Sequence, residues 1–308
     1  MSEMSPTSFD VIVVGGGAAG LTAAIYLSRF HLRTLVIDSG QSRAASIPLT
    51  RNHAGFPDGI AGRELLARMR AQASLYGTVF LNGTARDITR TDEGFTVPAA
   101  QQAFDTRAVL LATGVVNRRP EMPDTAHDAA LGAGLIRYCP ICDGYEVTDK
   151  RIAVLGSGEH GAKEALFLRG FSADITLIAE TSDAAMPTAW QAQLNAAGIV
   201  QVEGKPGAPS ISGDQITVET SAGVLSFDTL YPALGSDIRS ELAVALGAQA
   251  SEEGCLTVDA HQRTSVAPLY SAGDVVLGLD QISHPMGEGG VAATTIRNDL
   301  ADAERISR

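Results

Sequence analysis

Two cysteines spaced Cys-x-x-Cys, Cys139 and Cys142, with an aspartate directly behind them at Asp143, are the residues of this sequence best suited to chemistry. A pair with this spacing can form and break a disulfide with little rearrangement, and the thiolate is its reactive form. The neighbouring carboxyl can supply or remove the proton that thiol–disulfide exchange needs, provided its pKa is raised. Zinc is the other common use of Cys-x-x-Cys. It requires four ligands, and no second pair or histidine cluster accompanies this one, so no metal is expected. Cys255, within GCLTVD, reads as a small core residue.

A second kind of chemistry is carried by glycine. Gly15-x-Gly17-x-x-Gly20 follows the apolar run Phe9–Val14 and opens a helical stretch that reaches Phe30; a second apolar run, Thr34–Ile37, then ends in Asp38. That order is the dinucleotide-binding fingerprint. Gly15 allows the tight turn, Gly17 lets backbone approach a pyrophosphate, and Gly20 lets helix pack on strand. The helix N-terminal amides and the macrodipole hold the phosphates, and Asp38 accepts from ribose hydroxyls. The pattern recurs. Arg151–Leu155 is a strand, Gly156-x-Gly158-x-x-Gly161 a turn containing Glu159 and His160, and Asp174–Ile178 the next strand, followed by Glu180. From first glycine to acid is 23 positions in one copy (15 to 38) and 24 in the other (156 to 180).

These motifs require two βαβ scaffolds, and 308 residues suffice for both. The expected fold class is α/β, with two Rossmann-like, three-layer dinucleotide-binding domains. The first is discontinuous, 1–116 and 246–308; the second, 117–245, carries the cysteine pair. A loop rich in arginine and proline, Asn117–Pro123, reads as the crossover, and His284–Ala303 as a closing helix. The net charge of −12 disfavours partners that need a basic surface, so neither nucleic acid nor an anionic membrane is expected. No apolar stretch approaches a membrane span and no secretory signal opens the chain, which makes a cytoplasmic setting the expectation.

Taken in order, Gly15-Gly17-Gly20, Ala112-Thr113-Gly114, CPICDG at Cys139–Gly144, GSGEHG at Gly156–Gly161 and AGDV at Ala272–Val275 resemble the low-molecular-weight thioredoxin reductases over nearly the whole chain. Asn52 with the following GFPDGIAG, and Gln281, extend the match. The resemblance implies an FAD-containing disulfide oxidoreductase, a homodimer, acting on thioredoxin or a similar small dithiol or disulfide. It assigns to the flavin the first glycine motif with Ala18 and Ala19, Asp38, Ser39, Asn52, Ala85, Ala112, Thr113, Gly114, Gly273, Asp274, Gln281 and Ile282. Cys142 would be the thiol that exchanges electrons with the flavin, Cys139 the one that attacks the partner, and Asp143 the proton carrier. His284, three residues after Gln281, is a candidate for a supporting acid/base role.

The second glycine site departs from the family pattern. Members that use NADPH carry His-Arg-Arg just after the second strand to grip the 2′-phosphate; this chain has Ala179-Glu180-Thr181. A carboxylate there repels a phosphate and suits a free ribose diol, so NADPH is disfavoured. Three readings stay open: a second FAD, NADH, or a vestigial site with a ferredoxin-like donor or oxygen as acceptor. Dithiol oxidases of the same fold share Cys-x-x-Cys-x-Gly-Tyr/Trp-Glu. CPICDGYE matches at Gly144, Tyr145 and Glu146, but has Asp143 where they usually have His.

Overall fold

The computed structural model describes residues 7–179 and 186–303. They form two compact units, one within Met1–Leu49, His53–Val116 and Ile238–Arg308, the other within Thr50–Asn52 and Asn117–Asp237.

The first unit is built on strand Ser8–Val14, which pairs in parallel with Thr34–Asp38 on one side and Gln102–Leu111 on the other. Val79–Asn82 extends the sheet beyond Thr34–Asp38, and Leu269–Ser271 joins Gln102–Leu111, both in parallel. The antiparallel strands Gly94–Ala99 and Thr89–Thr91 complete it. Successive side chains of a strand point to opposite faces. Val11, Val13, Ala108 and Leu110 therefore face helices Ala18–Arg29, Gly62–Ser74 and Ser283–Ala303, while Ile12, Val14, Val109 and Leu111 join Phe95, Val97 and Ala243 on the other face. Burial on both faces is why these strands read as unbroken apolar runs.

The second unit repeats the plan. Its parallel sheet has the order Val200–Val202, Ile175–Ile178, Ile152–Gly156, Thr229–Ala233. Ile152 and Val154 pack with residues of helices Gly158–Leu168 and Thr188–Ala196, and Ala153 and Leu155 with Ile216, Val218 and Phe227 of an antiparallel three-stranded layer. Helices, parallel sheet and a separate antiparallel sheet make three layers in the second unit, while in the first the antiparallel strands continue the main sheet; both have the architecture of Rossmann-like dinucleotide-binding domains.

The chain re-enters the first unit earlier than the expected residue 246. Ile238, Leu242, Ala243 and Leu246 all pack in the Phe95–Val97 core, so the return begins at Ile238. Helix Glu241–Ala245 is too short for its amphipathic period to show in sequence. Asn52 lies with the second unit, where Nδ2 donates to the Ile141 carbonyl at 3.5 Å. No described helix is long and apolar enough to cross a membrane.

Candidate active site: a disulfide and two dinucleotide cradles

In the first unit the three glycines are fixed by what surrounds them. Gly15 has φ +111°, and a Cβ there would overlap the Ala112 carbonyl; a Cβ on Gly20 would overlap the carbonyl of Gly15. The turn thus needs glycine for both conformation and space. Gly17 differs. It caps helix Ala18–Arg29 with no side-chain hydrogen bond, and a Cβ on it would meet only Ser42 Oγ, at 3.1 Å. Uncapped first-turn amides beside a glycine are what a pyrophosphate requires, and the cradle fits a dinucleotide. Asp38 ends the second strand against Gly16 and accepts from the Gly40 amide at 3.0 Å.

Other expected flavin residues fall into two groups. Near the glycine turn are Ala18 and Ala19, both buried, together with Gly273, whose Cβ would press on Ala19 Cβ at 2.9 Å. Ala112 is buried, Thr113 Oγ1 donates to the Arg239 carbonyl at 2.6 Å, and Gly114 has φ +65°. Asp274 pairs with Arg43 at 2.9 Å, and burial, outweighing that guanidinium, pushes its carboxyl up to about 6. Gln281 accepts the His284 amide at 2.9 Å, and Ile282 packs on the helix-side core. His284 Nε2 lies 3.0 Å from Glu288 Oε1, whose other oxygen accepts the Gly273 amide at 2.7 Å. In the second group Ala85 is buried opposite Ala99 at a bridge, Ser39 is exposed directly after Asp38, and Asn52 groups with the second unit.

In the second unit Cys139 and Cys142 are joined by a disulfide, with Cα atoms 5.2 Å apart. Cys139 caps the short helix Pro140–Asp143, its sulfur accepting the Cys142 amide at 3.1 Å. An amide aimed at sulfur favours a thiolate once the bond is opened. Asp143 accepts from Arg137 Nη1 at 2.9 Å and from Tyr231 Oη at 2.7 Å. Burial raises its pKa against the opposing pull of the Tyr231 hydrogen bond and the Arg137 charge. Gly144 is seated tightly against Phe171, whose ring a Cβ would meet at 2.6 Å, while Ile141 and Tyr145 are exposed beside the disulfide. Among the described residues no group of three or more His, Cys, Asp or Glu is placed to hold a metal.

The second glycine turn is equally tight. A Cβ on Gly156 would meet Ala233 O at 2.7 Å, one on Gly161 would meet Gly156 C at 2.8 Å, and Gly158 has φ +58°. Glu159 is exposed and bound to Lys163 at 2.6 Å, and His160 is exposed. Glu180 lies outside the described residues.

Sequence reasoning did not single out Arg137, Tyr231, Arg43 or Glu288. Only Tyr231 left a signal: alternation along Thr229–Ala233 sends it, like Ala233, to the helix-side face of its sheet.

Two dinucleotide folds and a disulfide followed by an acid define a flavoprotein disulfide oxidoreductase. A family model for pyridine nucleotide-disulphide oxidoreductases matches residues 9–289, and the chain belongs to that family. Within it the chain is thioredoxin reductase-like. It is 31% identical over 308 residues to the thioredoxin reductase of Streptomyces coelicolor (96% of this chain, 92% of that one). It is 33% identical over 285 residues to that of Mycolicibacterium smegmatis (88% and 90%). Among solved structures it is similar to HlmI, with a TM-score of 0.88 and 30% identity over 97% of this chain and 94% of that one. The thioredoxin reductase of Streptococcus pyogenes also gives 0.88, at 23% identity over 97% of this chain and 100% of that one, a likeness of fold. Membership implies FAD and a nicotinamide cofactor.

One stability prediction follows from the first turn. Gly15→Ala forces a left-handed φ on a residue with a Cβ and drives that Cβ into the Ala112 carbonyl. The expected cost is about 2–4 kcal/mol, seen as a melting temperature lowered by roughly 5–10 °C and as reduced FAD content after purification. A variant that melts with the parent and retains its flavin would contradict this.

Proposed function

We propose that this protein is an FAD-dependent dithiol/disulfide oxidoreductase in which electrons pass between flavin and the Cys139–Cys142 pair, supplied by a donor other than conventional NADPH. The observation that carries the reading is the disulfide itself, capping a short helix and followed directly by a half-buried carboxyl. FAD bound at the first glycine turn supplies a two-electron carrier. Asp38 would hold its ribose, the Gly17–Gly20 amides its phosphates, and Asp274 its ribityl chain. Cys142 is the flavin-side thiol and Cys139 the one that attacks the partner, with its thiolate stabilised by the Cys142 amide. Asp143 moves the proton, and Arg137 and Tyr231 hold it in place. The relatives' names favour thioredoxin, or a small protein like it, as the disulfide partner. A homodimer working in a reducing compartment completes the proposal.

The donor is argued from charge. Ala179-Glu180-Thr181 offers no cation to a 2′-phosphate. A second flavin or a ferredoxin-like donor is therefore placed first, NADH second, and a dithiol oxidase that passes electrons to oxygen third. Flavin content per chain, measured together with anaerobic flavin bleaching by NADH and NADPH, separates them. Two flavins and no bleaching by either nucleotide supports the first; bleaching by NADH alone supports the second. Oxygen uptake with dithiols and no nucleotide supports the third. Fast bleaching by NADPH would refute the argument from Glu180.

A further inference from the structure

Among the described residues, four buried side-chain atoms have no hydrogen-bond partner. Three of them, Arg137 Nε, Glu146 Oε2 and Glu164 Oε1, belong to residues coupled electrostatically to Asp143. Buried polar atoms are normally paired, and clusters of exceptions occur where a site does work. Arg137 is already engaged with Asp143, and Glu146 lies 3.8 Å from Arg51. Among the described residues no cation pairs with Glu164.

Glu164 stands on helix Gly158–Leu168, which packs against the Pro140–Asp143 helix that closes the redox pair. Among the described elements that pack on this helix, few bring charge. Strands Ile152–Gly156 and Ile175–Ile178 and helix Thr188–Ala196 bring it no ionisable side chain. Strand Thr229–Ala233 brings Tyr231, and Pro140–Asp143 brings Cys142 and Asp143. On its own helix, Lys163 is bound to Glu159, and His160 is exposed. Burial, with the charge of Asp143 adding to it, lifts the Glu164 pKa to about 7. A charged Asp143 therefore disfavours ionisation of Glu164, adding to the effect of burial.

We propose that Glu164 is a positioning residue for the redox pair: its half-buried carboxyl, with Oε1 enclosed, keeps a proton while Asp143 is charged, and so sets the pH range over which Asp143 exchanges a proton with the cysteine thiols. The inference rests on the role given to Asp143 above. In exchange with an external dithiol, the dithiol's thiolate attacks Cys139, the protein S–S bond breaks, and Cys142 leaves as a thiolate that takes a proton from Asp143. The dithiol's second sulfur then displaces Cys139. The second thiol's proton passes to the departing Cys139 thiolate, and Asp143 recovers a proton from solvent, which took up the one released when the first thiol ionised. The protein pair is reduced, the dithiol is oxidised to its disulfide, and Asp143 returns to its starting state. At the moment Asp143 becomes negative, a neutral Glu164 spares the site a second buried charge.

The test uses the whole protein, reduced with dithiothreitol and freed of it. Iodoacetamide alkylation of Cys139 and Cys142 is followed by mass spectrometry from about pH 5.5 to about pH 9. The parent is expected to show an inflection near 7 besides those of the thiols. Glu164→Gln removes it and speeds alkylation at pH 8 by roughly threefold, because no negative charge develops to oppose the thiolate. Glu164→Asp restores it. The thermal stability of the parent supplies a second readout. A carboxyl whose folded pKa is raised above 4.5 to about 7 stabilises the fold below the lower value and loses that contribution as pH rises through the upper one. Glu164→Gln is expected to flatten that part of the curve.

Superimposable profiles for parent and Glu164→Gln, or identical behaviour of the Gln and Asp variants, would overturn the proposal. So would a parent profile lacking the inflection, which settles the matter even if the glutamine variant does not fold. Asp143→Asn separates the two readings. If it changes the thiol profile and Glu164→Gln does not, only the role of Glu164 fails. If neither does, the role of Asp143 fails with it.

Discussion

Replacing Cys142 by serine is expected to abolish disulfide turnover, by about three orders of magnitude or more, while leaving FAD in place. The proposed flavin cradle of Gly15, Gly17, Gly20, Asp38 and Asp274 lies in the first unit, and none of these residues depends on the cysteine for its conformation. The chemistry does depend on it, because a hydroxyl cannot close a disulfide and its alkoxide is inaccessible at neutral pH. Cys139 is left as a single thiol. The donor to its sulfur is the backbone amide of residue 142, which serine retains. Cys139 in the variant is therefore expected to remain reactive, alkylating readily and forming a stable mixed disulfide with a thioredoxin-like partner. Flavin absorbance, turnover with a disulfide substrate and mass spectrometry of the trapped adduct check the three parts. Full turnover in this variant would remove the cysteine pair from the mechanism.

Asp143→Asn is expected to slow thiol–disulfide exchange by about 10²–10⁴-fold, the range associated with loss of a positioned general acid. Burial raises the proton affinity of Asp143, while Tyr231 and Arg137 work in the opposite sense. The carboxyl is thus moved towards the pH at which a proton can be both held and given up. Asparagine keeps the shape but carries no transferable proton. Its amide oxygen can accept from one of the two donors, Arg137 Nη1 or Tyr231 Oη, and its NH₂ then faces the other. The variant should keep its FAD and its disulfide, and lose the limb of the pH–rate profile that belongs to this carboxyl. The sign for stability is also set. A folded pKa raised above 3.8 stabilises at low pH and is lost as pH rises through the folded value, so asparagine should remove that part of the slope. Unchanged exchange kinetics would assign Asp143 a structural role only.

The glycine turns were readable because most of their positions, Gly17 excepted, answer a steric demand that only glycine meets. Gly15 and Gly158 occupy left-handed backbone, and Gly20 and Gly161 press on the backbone of the first glycine of their turns, Gly15 and Gly156. The apolar runs were readable because parallel strands with both faces buried admit little else. Asp143 was legible from its place in the chain, directly after Cys142. Arg137, Tyr231 and Glu164 were not. Arginine, tyrosine and glutamate serve most often as ordinary surface or half-buried residues, and their types carry no signal until the fold sets them around one carboxyl. The return at Ile238 was missed because helix Glu241–Ala245 spans little more than one turn.

The sequence by itself determined the chemistry on offer: a cysteine pair that can cycle, two phosphate-binding turns, and an acid rather than a base beyond the second. Spacing within a few residues sets those features, and local backbone geometry then follows. The tertiary structure alone decided which distant side chains surround Asp143 and Asp274, because burial and through-space charge depend on strands and helices far apart in the chain. A carboxyl's proton affinity is a property of that surrounding medium, and no stretch of residues read in order contains it.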